Sequence, residues 1–243
     1  MKKFTNEEMA APNALRVAID LDSTSESEWL RGMAASETAR RKLYWQSPPW
    51  RSDIRWYSAR SERDFARFRS IFEQLGIARH VRPYVDVEHE VRLYNSFLVI
   101  RSQCTETNFH ADWANANNEG FTLLTPLTAN SDGFGLLYRK LDGSVGEYEY
   151  KAGEALIFGD DFIHSTKPGI SADPVVLLCF NFGSDKIEHW PRIERTAARQ
   201  GILICRPDGR FYRRPMITRF RNGVGRALRK IGLRRPPTGG SPY

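Results

Sequence analysis

From residue 61 the run SERDFARFRSIFEQLG spaces Phe65, Phe68, Phe72 and Leu75 at intervals of three and four, which line one face of an α-helix. Ser61 and Asp64 are placed as a capping box at its start and Gly76 as its stop. This helix is expected to pack on the main body. Upstream, Ser23 to Trp45 predicts a second helix with a thinner apolar stripe, ended by Pro48 and Pro49 because consecutive prolines cannot continue it. After Pro83 the period shortens to that of strands. Short β-branched or aromatic runs span Arg92 to Gln103, Phe121 to Thr128, Gly133 to Lys140, Gly146 to Lys151, Glu154 to Phe158 and Pro174 to Phe182, separated by the turn signals NSDG, LDGS, KAG and FGDD. Such a series predicts an antiparallel sandwich or barrel, and a jelly roll fits the size. Beyond Gly183 a short helix is expected before a basic tail that ends in the unstructured composition PPTGGSPY.

The fold class is therefore mainly β (α+β): a jelly-roll core at 84–200, an N-terminal helical region at 1–83 packing on it, and a basic extension at 201–243. Length and composition agree. At 243 residues, with 41% hydrophobic and 27% charged residues, the chain is globular and suits one large domain with appendages. No apolar run approaches the ~20 residues needed to span a bilayer, and MKKFTNEEMAAPNA lacks a signal-peptide core, so a cytoplasmic protein is expected. Cys104, Cys179 and Cys205 lack CxxC spacing and read as reduced packing residues.

The net charge of +7 is uneven: Arg206 to Arg235 holds eleven Lys or Arg and one acid, which leaves the rest of the chain at −3. A basic tail suits an anionic partner, and Phe211, Tyr212 and Phe220 are able to stack on bases. No nucleic-acid-binding signature accompanies them, so a solvated tail is the default reading and nucleic acid is not favoured. The oligomeric state is not legible.

Of five histidines, two stand where metal ligands belong. His110 in TNFHADW follows a strand, and Asp112 lies two residues on, so in extended chain both side chains reach the same side. His164 follows fifty-four residues later, past a turn and an apolar strand. Two imidazoles and one carboxylate, with three positions left open, form the facial triad of non-haem Fe(II) chemistry. The alternative for an HxD pair is a structural hydrogen bond. His80, His89 and His189 read as surface histidines.

At these residues the chain resembles the Fe(II)/2-oxoglutarate-dependent dioxygenases: LVIRSQCTETNFHADW followed by GEALIFGDDFIHSTKPG is similar to their HxD…H, over about Tyr94 to Phe182. The resemblance implies a double-stranded β-helix and iron held by His110, Asp112 and His164. It also implies 2-oxoglutarate as cosubstrate with dioxygen, release of succinate, and hydroxylation of a C–H of a small molecule or an amino-acid residue. With Asp112 present no ligand position is vacated for a halide.

One departure concerns the cosubstrate. Many members carry a cation about ten residues after the distal His, but SADPVVLL (Ser171 to Leu178) has none. An unpaired distal carboxylate is costly inside a barrel, so another anchor is required. Arg101 is the first choice because a guanidinium fork suits a carboxylate. Lys167, Thr125 and Arg139 follow, with Thr107 or Tyr94 able to add a hydroxyl. The missing cation also supports a rival, a cupin-like metal protein with 2-oxoglutarate-independent chemistry. A non-catalytic anion-binding module is a third reading. Trp113, Asn115, Asn117 and Asn118 either line a substrate entrance or form a polar turn, and Tyr148 and Tyr150 read as sheet packing.

Overall fold

The computed structural model describes residues 4–46, 53–128 and 134–214. The proline pair, the NSDG turn and the tail beyond 214, with most of its cations, lie outside the described residues. The described chain opens with strands β1 (Thr5–Asn6), β2 (Ala11–Pro12) and β3 (Ala14–Ala18), helices α1 (Ser27–Ala35) and α2 (Glu37–Arg40), and strands β4 (Tyr44–Gln46) and β5 (Ile54–Ser58). Helices α3 (Glu62–Gln74) and α4 (Ala78–Val81) lead to the long β6 (Arg92–Cys104). Then come β7 (Gly120–Pro126), β8 (Gly135–Arg139), β9 (Val145–Glu149), β10 (Glu154–Phe158), β11 (His164–Thr166) and β12 (Gly169–Gly183). A 3-10 turn (Ile187–His189), α5 (Trp190–Ala197) and the hairpin of β13 (Leu203–Cys205) and β14 (Phe211–Arg213) complete it.

Seven strands form one antiparallel sheet in the order β3-β10-β7-β12-β6-β5-β4, and a second sheet has the order β11-β8-β9. The expected jelly roll is present. Three of its major-sheet strands come from the region read as helical. The helix expected over 23–45 is interrupted at Ser36, which caps α2 by accepting the Ala39 N–H, and its last residues pair as β4.

Helix α3 forms as its pattern requires. Asp64 N–H donates to Ser61 Oγ at 3.2 Å while Asp64 Oδ2 accepts the Ser61 N–H at 3.0 Å, so both free amides are satisfied. Gly76 follows at φ +62°, where only glycine is unstrained. The phenylalanine face lies against the major sheet, with the Phe72 ring 5.6 Å from Phe180 and 5.1 Å from Phe182.

The two faces of the major sheet serve different ends. Directly paired residues share a face. Leu98, Ile100, Val176, Leu178 and Phe180 pack against the helices, whereas Phe97, Leu124, Leu156, Leu177 and Cys179 face the second sheet with Leu136, Tyr138, Tyr148 and Tyr150. Three rungs of this inner face matter below. Arg101 pairs with Val175, Phe97 with Cys179, and Asn95 with Asn181, in unbroken register from 175 to 181. All three cysteines are buried thiols that pack in the core.

Candidate metal centre

The two candidate histidines are brought together by backbone. His110 and His164 form an isolated antiparallel bridge, each N–H donating to the other's carbonyl at 2.9 Å. Their side chains therefore leave the same face, and the rings lie 4.7 Å apart. Asp112 turns back to the same side, with Oδ1 3.4 Å from His110 Nε2. The potential ligand atoms of all three lie within 4.8 Å of one another.

Second partners fix the ring nitrogens. His110 Nδ1 lies 2.8 Å from Asn108 O and His164 Nδ1 lies 3.2 Å from Phe162 O. A carbonyl only accepts, so each Nδ1 carries a proton and Nε2 is the nitrogen that would face a metal; without one, His110 Nε2 is turned to the Asp112 carboxylate. Phe162 stacks on the His164 ring at 5.4 Å and Phe158 meets it at 4.7 Å. His164 is 5% exposed while the His110 side chain is 25% exposed, so the cluster is closed on one side and accessible on the other.

The electrostatics suit a divalent cation. Burial, then the nearby His110, depress His164 to about 4, so it is neutral near pH 7. Burial opposes the charge of Asp112, but the His110 hydrogen bond and the two imidazoles outweigh it and hold the carboxyl at about 2. Burial likewise opposes charge on His110, yet the Asp112 hydrogen bond raises it. The donor set is thus two imidazoles and an ionised carboxylate on one face, a set that fits Fe(II) with coordination positions to spare.

No protein-family model and no curated protein matches the chain. Solved structures do. The chain aligns with a 2OG-Fe(II) oxygenase family oxidoreductase from Burkholderia pseudomallei at TM-score 0.50 and 12% identity, over 70% of this chain and 84% of that one. HygX from Streptomyces hygroscopicus, solved with nickel and 2-oxoglutarate, aligns at TM-score 0.51 and 12% identity over 74% and 88%. The carbocyclase SnoK from nogalamycin biosynthesis aligns at 0.53 and 13% over 74% and 84%. The chain has the fold of the 2-oxoglutarate/Fe(II) oxygenases.

Within this oxygenase fold the candidate anchors separate. Arg101, 6% exposed, lies on the inner face beside Val175, the residue eleven after His164. A buried cation thus stands one strand over from that position. Arg101 Nη2 and Nε donate to Asp53 Oδ2 at 2.8 and 3.0 Å, and its charge reaches the buried Tyr150. Thr125 stands on the helix-side face, paired with Leu178, and donates Oγ1 to Glu154 O at 2.9 Å. Lys167 is paired with Glu147 on the outside of the second sheet. Arg139 lies over the Phe109 ring at 4.6 Å, Thr107 is exposed, and the Tyr94 hydroxyl donates to Ser184 O at 2.6 Å. Of the candidates, Arg101 is the one that register places on the inner face of the major sheet.

The loop after the triad is a packed element rather than an entrance. Trp113 is fully buried, donates Nε1–H to Thr122 Oγ1 at 2.9 Å, and fills the space over Gly120, where an added Cβ would lie 2.4 Å from the ring. Asn115, Asn117 and Asn118 take φ of 67°, 58° and 60°, the left-handed turn that asparagine tolerates. Asp160 accepts the N–H groups of Ala116 and Asn118, each at 3.2 Å, and so ties the loop to the strand that precedes His164.

Sequence reasoning missed two residues. Arg199, just past α5, exerts its charge on Asp112 and His110. His189 is not a surface histidine: its side chain is 14% exposed, with Nδ1 2.9 Å from Ser184 Oγ and 3.4 Å from Glu119 Oε2. With Asp86 these make a second donor grouping, but Lys186 Nζ already sits 2.7 Å from both Asp86 oxygens, and the network staples three segments. Burial lifts the Glu119 carboxyl from 4.5 to about 7, against the Asp86 N–H that favours its anion. A carboxyl raised by folding stabilises below its unfolded value and loses that contribution as pH climbs through the folded one. Stability is therefore expected to fall by up to roughly 3 kcal/mol between about pH 4.5 and 7.5. Denaturant melts should show this slope in wild type and its flattening in Glu119→Gln; equal slopes would exclude Glu119 as the source.

Proposed function

We propose that the protein is a Fe(II)/2-oxoglutarate-dependent oxygenase that hydroxylates a C–H of a small molecule or an amino-acid residue. The observation that carries this reading is the convergence of His110, Asp112 and His164 with both Nδ1 atoms committed to carbonyls. His110 and His164 would offer Nε2 and Asp112 one carboxylate oxygen. When bound, Fe(II) with 2-oxoglutarate supplies the oxidising chemistry, with dioxygen as oxidant and succinate and carbon dioxide as products. The remaining tasks fall to the chain. Phe158 and Phe162 hold the His164 ring, Asp160 and Trp113 hold the loop that bears Asp112, and the aromatic inner wall excludes water.

Arg101 is the anchor for the distal carboxylate. Asp53 takes Nε and Nη2, which orients the fork, and no described acceptor holds Nη1. Its partner on β12, Val175, lies eleven residues after His164, within the window where the resemblance implies a cation. Arg101→Gln is expected to weaken 2-oxoglutarate binding to the nickel-loaded protein by about 30-fold, while nickel affinity moves less than about three-fold. Arg101→Lys should recover part of the loss. Unchanged 2-oxoglutarate affinity would remove Arg101 from the role. The function itself is tested by iron-dependent conversion of 2-oxoglutarate to succinate. Iron binding without that conversion would favour the 2-oxoglutarate-independent cupin-like chemistry.

A further inference from the structure

Arg199 is a cation whose surroundings call for an anion. It sits on the turn that ends α5, with its own N–H donating to Thr196 O at 3.0 Å and its carbonyl accepting Gln46 Nε2 at 2.9 Å. One residue of this turn bonds a member of the triad and another bonds the strand behind it. Thr196 Oγ1 donates to Asp112 O at 2.5 Å, and Gln200 Oε1 accepts Asn181 Nδ2 at 2.9 Å on the inner face of β12. The Arg199 side chain is half-buried, and among the described residues no acceptor holds its guanidinium. Burial, then the nearby Arg195, make its charge harder to keep, and the acid acting on it is Asp112, which the metal would claim.

Position along β12 separates this cation from Arg101. Arg101 flanks Val175, the Asp112 charge reaches Cys179, and Gln200 meets Asn181. Six residues of strand extend roughly 20 Å, far more than a five-carbon diacid covers, so one cosubstrate is not held by both rungs. Arg101 thus stands at the Val175 end of this stretch, and the turn that bears Arg199 meets its Asn181 end.

Resting on the oxygenase reading, we propose that the substrate of this centre carries an oxyanion, a carboxylate or a phosphate, gripped by the Arg199 guanidinium beside Asp112. A planar fork suits either group, and a partly desolvated cation gains most from a charged partner. Arg195 and Arg214, whose charges act on Arg199, add to the attraction. The basic character noted for the tail thus has a counterpart in the site itself.

The test is calorimetric titration of the full chain, loaded with nickel and saturated with 2-oxoglutarate, with inorganic phosphate and separately with acetate at low ionic strength. Wild type is expected to bind at least one of them at a single site. Arg199→Gln should weaken that binding by about 10-fold or more, and Arg199→Lys should recover part of it. Arg63→Gln, on the exposed face of α3, should change nothing. Preference for phosphate or for acetate names the oxyanion. Binding of neither, or equal binding by Arg199→Gln, overturns the proposal; so does a matching loss of 2-oxoglutarate affinity, which would make Arg199 a cosubstrate contact. If Arg199→Gln does not fold, Arg199→Met is read by the same criteria. Failure of nickel to bind wild type would sink the oxygenase reading instead, and the anion titration of metal-free protein would still decide for or against Arg199.

Discussion

Asp112→Ala is expected to abolish iron-dependent turnover of 2-oxoglutarate and to weaken Fe(II) or Ni(II) binding by more than about 100-fold, the upper range for loss of a mere supporting partner. Asp112 supplies the one carboxylate of the triad, and with it the triad's negative charge to offset the metal. Its ionised state is secured by the His110 hydrogen bond and the two imidazoles, so the ligand is ready without a proton to lose. The fold should survive. The His110–His164 backbone bridge and the Thr196 bond to the Asp112 carbonyl do not involve the carboxylate. Calorimetric metal titration with a circular-dichroism melt checks both halves; unaltered metal affinity in a folded variant would dissolve the centre as described.

Trp113→Ala should cost about 3–5 kcal/mol, the range for emptying a buried large aromatic site. The ring is wholly enclosed, and Gly120 is a glycine because nothing larger fits beneath it. Its indole N–H begins a relay through Thr122 Oγ1 and Asn181 Oδ1, each link 2.9 Å, so truncation also strips a buried donor from the inner face. For a chain of this length the melting temperature should drop by about 10 °C. Because Trp113 adjoins Asp112, metal affinity should fall with it. Gly120→Ala offers an independent check, since its Cβ would collide with the same ring. A drop under about 1 kcal/mol in both would show that the ring is not packed as described.

Much of this was legible in the chain. Helix α3 announced itself through local rules alone, a capping box and an apolar stripe, and those rules were enough because the helix meets one surface. The triad was legible because strand parity puts residues two apart on one side and because ladder pairing across fifty-four residues follows once the jelly roll is assumed. Thr125 was misplaced for a related reason. Strand β7 is buried on both faces, so its sequence carries no alternation from which to tell inner from outer. Arg101 was singled out for its side chain alone; its pairing with Val175 is a matter of register, which pairing decides and periodicity does not. The strands β3, β4 and β5 were missed because each is five residues or fewer and takes its stability from neighbours remote in sequence. Arg199 looks in sequence like any helix-end arginine; only the bonds of Thr196 and Gln200 reveal what it overlooks.

The pairing of β3 with β10, Ala14 opposite Phe158, has a bearing on how the polypeptide matures. On a ribosome the first strand must wait, unmatched, until a partner some 140 residues later has emerged. Closure of this margin is therefore a late event with high contact order. Until it happens, the edge of β10 away from β7 presents a bare row of amides and carbonyls next to the apolar residues Leu156 and Ile157, open to illegitimate pairing with another copy.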